Sequence, residues 1–526
     1  MDAPSTRLPL MLTAVAIASA NFMNVLDTTI AVVSLPAISG SMGATPSQGA
    51  WILTAYAVCM AIMLPMNGLI CKRYGEIKTF CVSIFLFTFT SFLCGLAENF
   101  ELLVFFRALQ GLSSGLIVPL SQMVLLRIFP PNQHGFALGI WALTSGVAPV
   151  LGPIIGGFIT DTIGWPWIFY MNIPIGAFST WVIWNSLKHS ETKRKKEPID
   201  MVGILLLSIV VLLGQVVMDK GHELDWLGSP DIRLMLNIAV IAFIGLVIWE
   251  RREPHPIIDY TLLKVPSFVI SSIMAAVFYI AYFTTTVLYP TWMQQVLGYT
   301  ATWAGLAMAG TSLVPLFSML IVGKHLAKLN IRWLINLGSV IIAYGIYLQA
   351  QCTVETTFSS MFNARIIMGI GFGFMFPPLM ALSLIGVPIE KTPSAAGFFN
   401  FFRMLASSLG IAIGITVWQS RTILHRQILV EQLTPLQSAK SSAFQPLMDL
   451  AHQDENLMWA MVDRLSIQQA STLALSDTFM YCAYGFLLVI AMTPFIPKKL
   501  PQRQSATPAK APIADTIKKE LLPKHD

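Results

Sequence analysis

Asp27 lies deep in the first long apolar segment of the chain, which runs from about Leu8 to Leu35. A carboxylate near the centre of a membrane-spanning helix costs about 2.5 to 3.5 kcal/mol, so such a residue usually has a function. The other long apolar segments carry no acidic residue near their middle. Asp27 is therefore the candidate intramembrane proton carrier. The alternative is an uncharged Asp that only hydrogen-bonds a neighbouring helix.

Three arginines, Arg107, Arg365 and Arg403, also fall within apolar segments. With the first helix running outward and the fourth running inward, Asp27 and Arg107 are expected at a similar depth in the membrane. The alternative for Arg107 is an anchor whose charged head reaches the interface. For Arg365, two interpretations stay open, a group that lines the cavity and a helix-end anchor. For Arg403, near the inner start of its helix, an anchor is favoured.

The fifth apolar segment is built from small residues at close intervals, with two prolines between them. Small residues let helix backbones approach each other, and proline permits a bend. The segment therefore suits a contact that seals in one state and opens in another, although Gly and Pro are also common in ordinary packing of membrane helices. The candidate gating residues are Gly146, Pro149, Gly152, Pro153, Gly156 and Gly157.

The chain contains 32 Phe, 13 Trp, 12 Tyr and 26 Met. This composition suits a cavity that repacks around varied apolar ligands, although most of these side chains are expected to face lipid or other helices. Polar or aromatic character selects the candidates for substrate contact. They are Met23, Asn24, Tyr56, Gln110, Tyr279, Tyr282, Asn363 and Arg365.

Composition excludes a soluble multidomain protein. The 526 residues are 55% hydrophobic and 11% charged, and the mean hydropathy is +0.67. Apolar windows of about 20 residues, enough to cross a hydrocarbon core of about 30 Å, recur along nearly the whole chain. They predict an all-α polytopic membrane protein with about fourteen spans.

The distribution of Lys and Arg predicts the orientation, because loops rich in these residues stay cytoplasmic. With both termini inside, about 24 of the 33 Lys and Arg fall in cytoplasmic segments and about six outside. The net charge of +6 is therefore a topology signal and does not indicate a nucleic-acid partner. The six cysteines form no CxxC pattern, so we expect free thiols and no metal site. No GxxxxGK[ST] motif occurs, which disfavours an ATP-driven pump or a membrane enzyme.

A weak repeat relates the two halves of the chain at an offset of about 260 residues. A basic turn, an arginine-headed helix and a Gly-Phe pair recur in the same order, with Arg107 answering to Arg365 and Gly135 to Gly397. Parallel repeats of this kind are the layout of major facilitator transporters. We therefore predict two six-helix bundles with two inserted transmembrane helices. The predicted divisions are a cytoplasmic N-terminus at 1–9, an N-terminal bundle at 10–187, a basic linker with the inserted helices at 188–265, a C-terminal bundle at 266–497 with an outer loop at 419–475, and a disordered cytoplasmic tail at 498–526.

Several local patterns match one family of such transporters. Leu26 to Ile30 with Leu35-Pro36 matches LDxTI…LP, Arg107, Gln110 and Gly111 match RxxQG, and the small residues of the fifth segment match the antiporter motif. The run from Trp165 to Gly176 matches GWxWxFxxNxPxG, and Gly68, Lys72, Arg73 and Gly75 match the cytoplasmic loop motif, with Lys72 where most facilitators have Asp. On these residues the chain resembles the fourteen-helix drug/proton antiporter family of the major facilitator superfamily, most closely the EmrB-type multidrug exporters.

The resemblance implies that the first and fourth helices line a central cavity, where Asp27 and Arg107 come within pairing distance. In that layout Asp27 carries the proton and Arg107 tunes or relays it. The implied function is proton-coupled export of hydrophobic or cationic toxic compounds from the bacterial inner membrane. The energy source is the proton gradient, and no cofactor is expected.

The resemblance also implies partners, namely a membrane-fusion adaptor of the EmrA type and an outer-membrane TolC-like channel. The helix-forming residues of the 419–475 loop predict a soluble helical hairpin or cap. The resemblance implies that this loop docks the adaptor, and the alternative is a solvated cap over the cavity mouth. Two other functions stay open at this point. One is an exporter of fatty acids or siderophore-like metabolites, and the other is an uncoupled channel or membrane sensor.

Overall fold

The computed structural model of the chain describes residues 10–130, 133–191, 200–221, 224–253, 260–325, 329–388, 391–431, 449–450 and 454–497. In these ranges the regular secondary structure is helical, which confirms the predicted all-α class. The α-helices of these ranges are α1 (Leu10–Ser41), α2 (Pro46–Tyr74), α3 (Glu76–Gly95), α4 (Phe100–Ile128), α5 (His134–Thr162), α6 (Trp167–Tyr170), α7 (Asn172–Leu187), α8 (Met201–Lys220), α9 (Pro230–Glu250), α10 (Pro266–Gln295), α11 (Ala301–His325), α12 (Ile331–Ala350), α13 (Phe358–Leu382), α14 (Thr392–Glu431) and α15 (Glu455–Met492).

Eleven helices of the described chain are long and apolar enough to cross a membrane, and Gly146–Thr162 is a shorter apolar helix. Each of the fourteen predicted segments lies on a helix, with α6 and α7 together forming the sixth. Fourteen crossings, cytoplasmic termini and the predicted domain boundaries stay predictions. The N-terminus at 1–9, the basic linker residues 192–199 and the tail at 498–526 lie outside the described residues.

The helices pack in two groups. In the first, α1 packs against α5, α7 and α4, and α4 packs against α2 and α3. In the second, α13 packs against α11 and α12, and α14 against α10 and α15. The inserted helices α8 and α9 pack against each other, and α8 also contacts α2 and α14. The groups meet where α5 contacts α11, α2 contacts α14, and α1 contacts α10.

The predicted basic turn after the second helix is shorter than expected. Gly68, Lys72 and Arg73 lie within α2, so the prediction of a loop starting at Gly68 is wrong, and the side chain of Lys72 lies outside the described residues. The turn itself is Gly75, whose φ of +93° strongly favours glycine. Its N–H donates to the Cys71 carbonyl at 2.9 Å. The helix continues through Gly68 because a single glycine costs a helix only about 1 kcal/mol.

Two long helices enter the segment predicted as the 419–475 loop. Helix α14 has 40 residues and reaches Glu431, while α15 has 38 residues and starts at Glu455. The Trp418 indole N–H donates to the Ser471 carbonyl at 2.9 Å, and Arg426 pairs with Asp463 at 2.7 Å. The described part of the segment is therefore a helical hairpin, the arrangement that its helix-forming residues favour. Residues 432–448 and 451–453 lie outside the described chain.

Candidate functional site

Asp27 pairs with Arg107, as predicted. Asp27 lies near the middle of α1 and Arg107 in the third turn of α4, and both side chains are 0% exposed. The Arg107 Nη1 atom lies 2.7 Å from Asp27 Oδ2. A buried ion pair in this geometry offsets the desolvation of both charges only when further hydrogen bonds satisfy the remaining atoms.

Two amides supply such bonds to Asp27, while Arg107 Nη2 has no hydrogen-bond partner in the described chain. Gln110 Nε2 donates to Asp27 Oδ1 at 3.2 Å, and Asn172 Nδ2 donates to the same oxygen at 2.9 Å. Gln110 Oε1 in turn accepts from Arg107 Nη1 at 2.7 Å. The described groups around the carboxylate are all donors, the partners that carboxylate oxygens need because they only accept.

The sequence prediction missed Asn172 as a ligand of Asp27. Asn172 was part of the quoted GWxWxFxxNxPxG run, but nothing in its local pattern indicates which helix its amide faces. The structure shows that Asn172 starts α7 and also donates to Ser91 Oγ at 3.0 Å. Ser91 donates to the Phe169 carbonyl at 2.9 Å, so the residues before α7 hold this amide in place.

Arg107 is enclosed by α2 and the segment before α7. Its Nε donates to the Ile52 carbonyl at 3.2 Å, and its guanidinium carbon lies 4.2 Å from the Tyr56 ring centroid and 5.5 Å from that of Phe169. Cation–π contacts of this kind are strongest when desolvated. The alternative interpretation of Arg107 as an interfacial anchor is therefore wrong.

The expectation that Asp27 faces a cavity shared by both halves is not met in this conformation. Each described hydrogen-bond partner of Asp27 lies on α4 or α7, within the first group of helices. The prediction rested on which helices line such a cavity. The sequence does not give the rotation of α1 about its axis, which decides where Asp27 points. Because an unpaired charge in hydrocarbon is costly, α1 turns Asp27 toward its partners and away from the second group.

Two other cavity candidates, Asn24 and Tyr56, form a second buried polar group with Ser114 beside the first. Asn24 Nδ2 donates to the Ser114 carbonyl at 3.0 Å, and Asn24 Oδ1 accepts from Tyr56 at 3.2 Å and from Ser114 Oγ at 2.8 Å. Met23 lies in the hydrophobic core of the same helices. Together with Gln110, these candidates are buried inside the first group and do not line an open cavity here.

Tyr279 and Tyr282 belong to an aromatic cluster between α10 and α13. The cluster consists of Phe278, Tyr279, Tyr282, Phe283, Phe372 and Phe376, with ring centroids 4.9 to 6.4 Å apart. Arg403 lies against it, with its Nη1 3.4 Å from the Tyr279 hydroxyl and its guanidinium carbon 5.4 Å from the Tyr279 ring centroid. Arg403 is half-buried, and its interpretation as a helix-end anchor stays a prediction.

Arg365 is also buried, which excludes the helix-end anchor. Its Nη2 donates to the Thr285 carbonyl at 2.6 Å, and its guanidinium carbon lies 4.6 Å from the Tyr289 ring centroid. No acidic residue of the described chain pairs with it, so it repeats the position of Arg107 without a counterpart of Asp27. Asn363 is exposed near the start of α13 and is not hydrogen-bonded to either group of candidates.

The predicted gating residues lie where α5 contacts both α1 and α11. A Cβ atom at Gly152 would lie 2.0 Å from Thr29 Oγ1, and one at Gly157 would lie 2.3 Å from the Ala301 carbonyl oxygen. From α11, a Cβ at Gly305 would lie 2.0 Å from the Pro153 carbonyl oxygen. Only glycine allows this approach of the two backbones, which is a contact between the two groups of helices. A gating role for these residues stays a prediction.

Asp161 adds a polar contact at the same place. Its Oδ1 accepts from the Ala301 N–H at 3.2 Å, and its Oδ2 accepts from the N–H of Thr302 at 2.7 Å and from the Thr302 hydroxyl at 2.5 Å. A carboxylate at the start of α11 is also stabilised by the helix dipole. The carboxylate of one helix group therefore caps a helix of the other.

We expect Asp161→Asn to loosen this contact. Each hydrogen bond to a charged group contributes about 1.5 to 3 kcal/mol, so losing the charge should shift molecules toward separation of α5 and α11. Spin labels at the exposed positions Ile163 and Trp303, with the native cysteines replaced, report their separation by pulsed electron paramagnetic resonance. A longer distance should appear in the variant and be absent in the exposed control Asp231→Asn. Identical distance distributions in all three proteins would contradict the role of Asp161.

The sequence of this chain is similar to those of known export and resistance proteins. The profile of the Major Facilitator Superfamily matches residues 17–411. The chain is 36% identical to the multidrug export protein EmrB of Haemophilus influenzae over 479 residues, covering 91% of this chain and 94% of EmrB. It is 34% identical to the fatty acid resistance protein FarB of Neisseria gonorrhoeae over 475 residues, covering 90% of this chain and 93% of FarB.

Solved structures of transporters share the fold. A bacterial homologue of the human lysosomal transporter Spinster has a TM-score of 0.59 at 14% identity, covering 95% of this chain and 100% of that one. The tetrameric PepTSo2 has a TM-score of 0.61 at 13% identity, covering 93% of this chain and 99% of that one. These likenesses confirm the predicted major facilitator type of fold. The family match and the similarity to EmrB indicate a multi-span transporter and not an enzyme.

Proposed function

Because this chain belongs to the major facilitator superfamily, we propose that it is a proton-driven exporter of hydrophobic or cationic toxic compounds in a bacterial inner membrane. The export of drugs is supported by the similarity to EmrB over nearly the whole chain. Proton coupling is supported by one observation above all. An ionisable carboxylate, Asp27, is fully buried among the helices of a transporter and bound by an arginine.

In this mechanism, the ion pair is the element that protonation changes. A proton on Asp27 removes its negative charge, so the attraction to Arg107 is lost and Gln110 or Asn172 must turn to accept the new O–H group. Because the carboxylate is enclosed in this conformation, proton exchange needs a conformation in which the helices around it separate. The proton and the substrate then favour opposite conformations, which is the requirement for antiport.

We also propose that the chain works as the inner-membrane part of a tripartite efflux system, with a membrane-fusion adaptor and an outer-membrane channel as partners. The α14–α15 hairpin supports this proposal, because its two helices extend well past the length that a bilayer needs. The alternative, a cap over the cavity mouth, predicts that shortening the hairpin leaves adaptor binding unchanged. Co-purification of the adaptor with full-length and shortened chains distinguishes the two.

Transport by the purified protein in liposomes tests the function. We expect a lipophilic cationic dye such as ethidium to move against its gradient when a pH gradient is imposed, and to stop when an uncoupler is added. An uncoupled channel or sensor would show dye movement that is independent of the pH gradient. That result would end the proposal of antiport.

A second candidate is an exporter of fatty acids or related metabolites by the same mechanism. The similarity to FarB supports it, as does Arg403 beside the aromatic cluster, because a cation next to aromatic rings suits a carboxylate with an apolar tail. A susceptibility panel of dyes, uncouplers, antibiotics and long-chain fatty acids separates the candidates. Protection against fatty acids alone, in cells overproducing the protein, would favour the second.

A further inference from the structure

A second carboxylate lies between an inserted helix and the first group of helices. Asp219, one residue before the end of α8, is half-buried against α2. Its Oδ2 accepts from the Thr54 hydroxyl at 2.9 Å, and its Oδ1 accepts from Gln215 Nε2 at 2.9 Å. Asp219 lies at the edge of its apolar segment, and its sequence position does not indicate a contact with another helix. The structure shows that it connects α8 to α2.

The groups around Asp219 can satisfy both of its protonation states. As a carboxylate it accepts from Thr54 and from the amide nitrogen of Gln215. The carbonyl oxygen of Gln215, Oε1, is buried and has no hydrogen-bond partner in the described chain. If a proton from water binds Asp219, the new O–H group has this oxygen as its acceptor once the amide turns. An amide offers both a donor and an acceptor, whereas a structural ion pair would satisfy the charged form alone.

The charged groups on α8 and on the helices that contact it form no described ion pair with Asp219. On α8 itself, the Lys220 ammonium lies 4.6 Å from the Trp51 ring centroid. Helix α2 has no charged residue before Lys72, which lies at its other end. Helix α9 carries Asp231 and Arg233, exposed in its first turn, and Glu250 at its far end. On α14, Arg403 lies against Tyr279, and Arg421 and His425 face Asp477 of α15. Arg426 of α14 pairs with Asp463, and Glu431 at its end accepts from Gln427. No ion pair of the described residues includes Asp219.

One turn of α2 lies between Asp219 and the Asp27 site. The Ile52 carbonyl accepts from Arg107 Nε at 3.2 Å, and two residues later the Thr54 hydroxyl donates to Asp219 at 2.9 Å. The Trp51 ring, in the same turn, contacts Lys220. A change in the hydrogen bonding of either carboxylate therefore acts on the same short backbone segment, which gives a physical route for coupling between the two sites.

We propose that Asp219 is a second proton-binding site, located at the joint between the inserted helices and the first group, and that it is coupled to Asp27 through the turn Trp51–Thr54. Proton binding by Asp219 stands on its own geometry. Its link to transport rests on the proposed proton antiport. The step is a simple protonation, in which water supplies the proton, the carboxylate accepts it, and no other bond forms or breaks.

Infrared difference spectroscopy of the protein in liposomes tests proton binding directly. Spectra are compared between mildly alkaline and acidic buffer, where a protonated carboxyl group gives a distinct carbonyl band. We expect the wild type to show such a band, Asp219→Asn to lose a component of it, and Asp27→Asn to keep that component. The matched control is Asp231→Asn, which removes an exposed Asp from the start of α9 and should leave the band unchanged.

A spectrum of Asp219→Asn identical to that of the wild type would overturn the proposal. If Asp219→Asn does not fold, Thr54→Val keeps the carboxylate and removes one donor to its charged form. The band should then appear at a less acidic pH than in the wild type, and an unchanged band would overturn the proposal equally.

Transport measurements test the coupling separately. The number of protons exchanged per ethidium exported should fall in Asp219→Asn relative to the wild type, and an unchanged ratio would overturn the link to transport. If wild-type export proves independent of the pH gradient, the proposed function fails, but the infrared result for Asp219 still decides whether this residue binds a proton.

Discussion

Replacing Asp27 by Asn is expected to abolish export driven by a pH gradient. Asn keeps the size of the side chain, and its carbonyl oxygen can still accept from Gln110 or Asn172, which both donate to Asp27 Oδ1. It cannot bind and release a proton, so the step that couples the gradient to transport is missing. In liposomes, ethidium accumulation driven by a pH gradient should fall to the level of protein-free vesicles. Exchange of labelled for unlabelled dye without a gradient should persist, because it needs no net proton movement.

In Asp27→Asn, Arg107 loses its counter-charge, so a control variant is needed in which this unpaired charge is absent. The double variant Asp27→Asn with Arg107→Gln removes both charges, and it too should exchange dye without responding to the gradient. A matched surface variant, Asp231→Asn, should retain gradient-driven export. Undiminished gradient-driven export by Asp27→Asn would contradict the assignment of Asp27 as the proton carrier.

Replacing Arg107 alone by Gln is expected to cause the largest loss of stability. The variant leaves the Asp27 carboxylate buried without its cation, and breaking a buried pair in this way costs about 3 to 5 kcal/mol. It also removes the donor to the Ile52 carbonyl and the contact with the Tyr56 ring. Unfolding can be followed with a thiol-reactive fluorescent dye, because five of the six free cysteines are buried and the sixth is partly buried.

A double-mutant cycle separates the charge from the packing. Arg107→Gln should unfold at a clearly lower temperature than the wild type, and adding Asp27→Asn should recover part of that loss because no lone charge is left in the site. Arg107→Lys keeps one positive charge but not the planar fork, so we expect an intermediate stability. An Arg107→Gln variant as stable as the wild type would show that the pair contributes little to the folded state.

The sequence was informative where a feature depends on composition or spacing along the chain. Long apolar segments predicted the helices, and the depth of Asp27 and Arg107 followed from counting residues along two antiparallel helices. The pairing of the two followed from a resemblance to a family, and the structure agrees with it at 2.7 Å. Each of these inferences needs only the axial position of a residue.

Features that depend on helix rotation were not predictable. The burial of Asp27, Asn24 and Tyr56 within one group of helices follows from the direction in which α1 and α2 turn their side chains, which spacing along the chain does not give. Asn172 and Asp219 act across helix contacts that only the tertiary structure shows. The extent of α14 was missed because hydropathy reports where a helix leaves the apolar layer and is silent on where the helix itself ends.

The hairpin of α14 and α15 has a mechanical consequence. At 1.5 Å per residue, a helix of 40 residues is about 60 Å long, roughly twice the thickness of the hydrocarbon layer. Because the same two helices pack against α10, α12 and each other, the projecting portion is a lever anchored mainly in the second group. A small tilt of that group sweeps the lever tip through a larger arc. A partner protein bound at the tip would therefore be displaced in each transport cycle without contacting the transported compound.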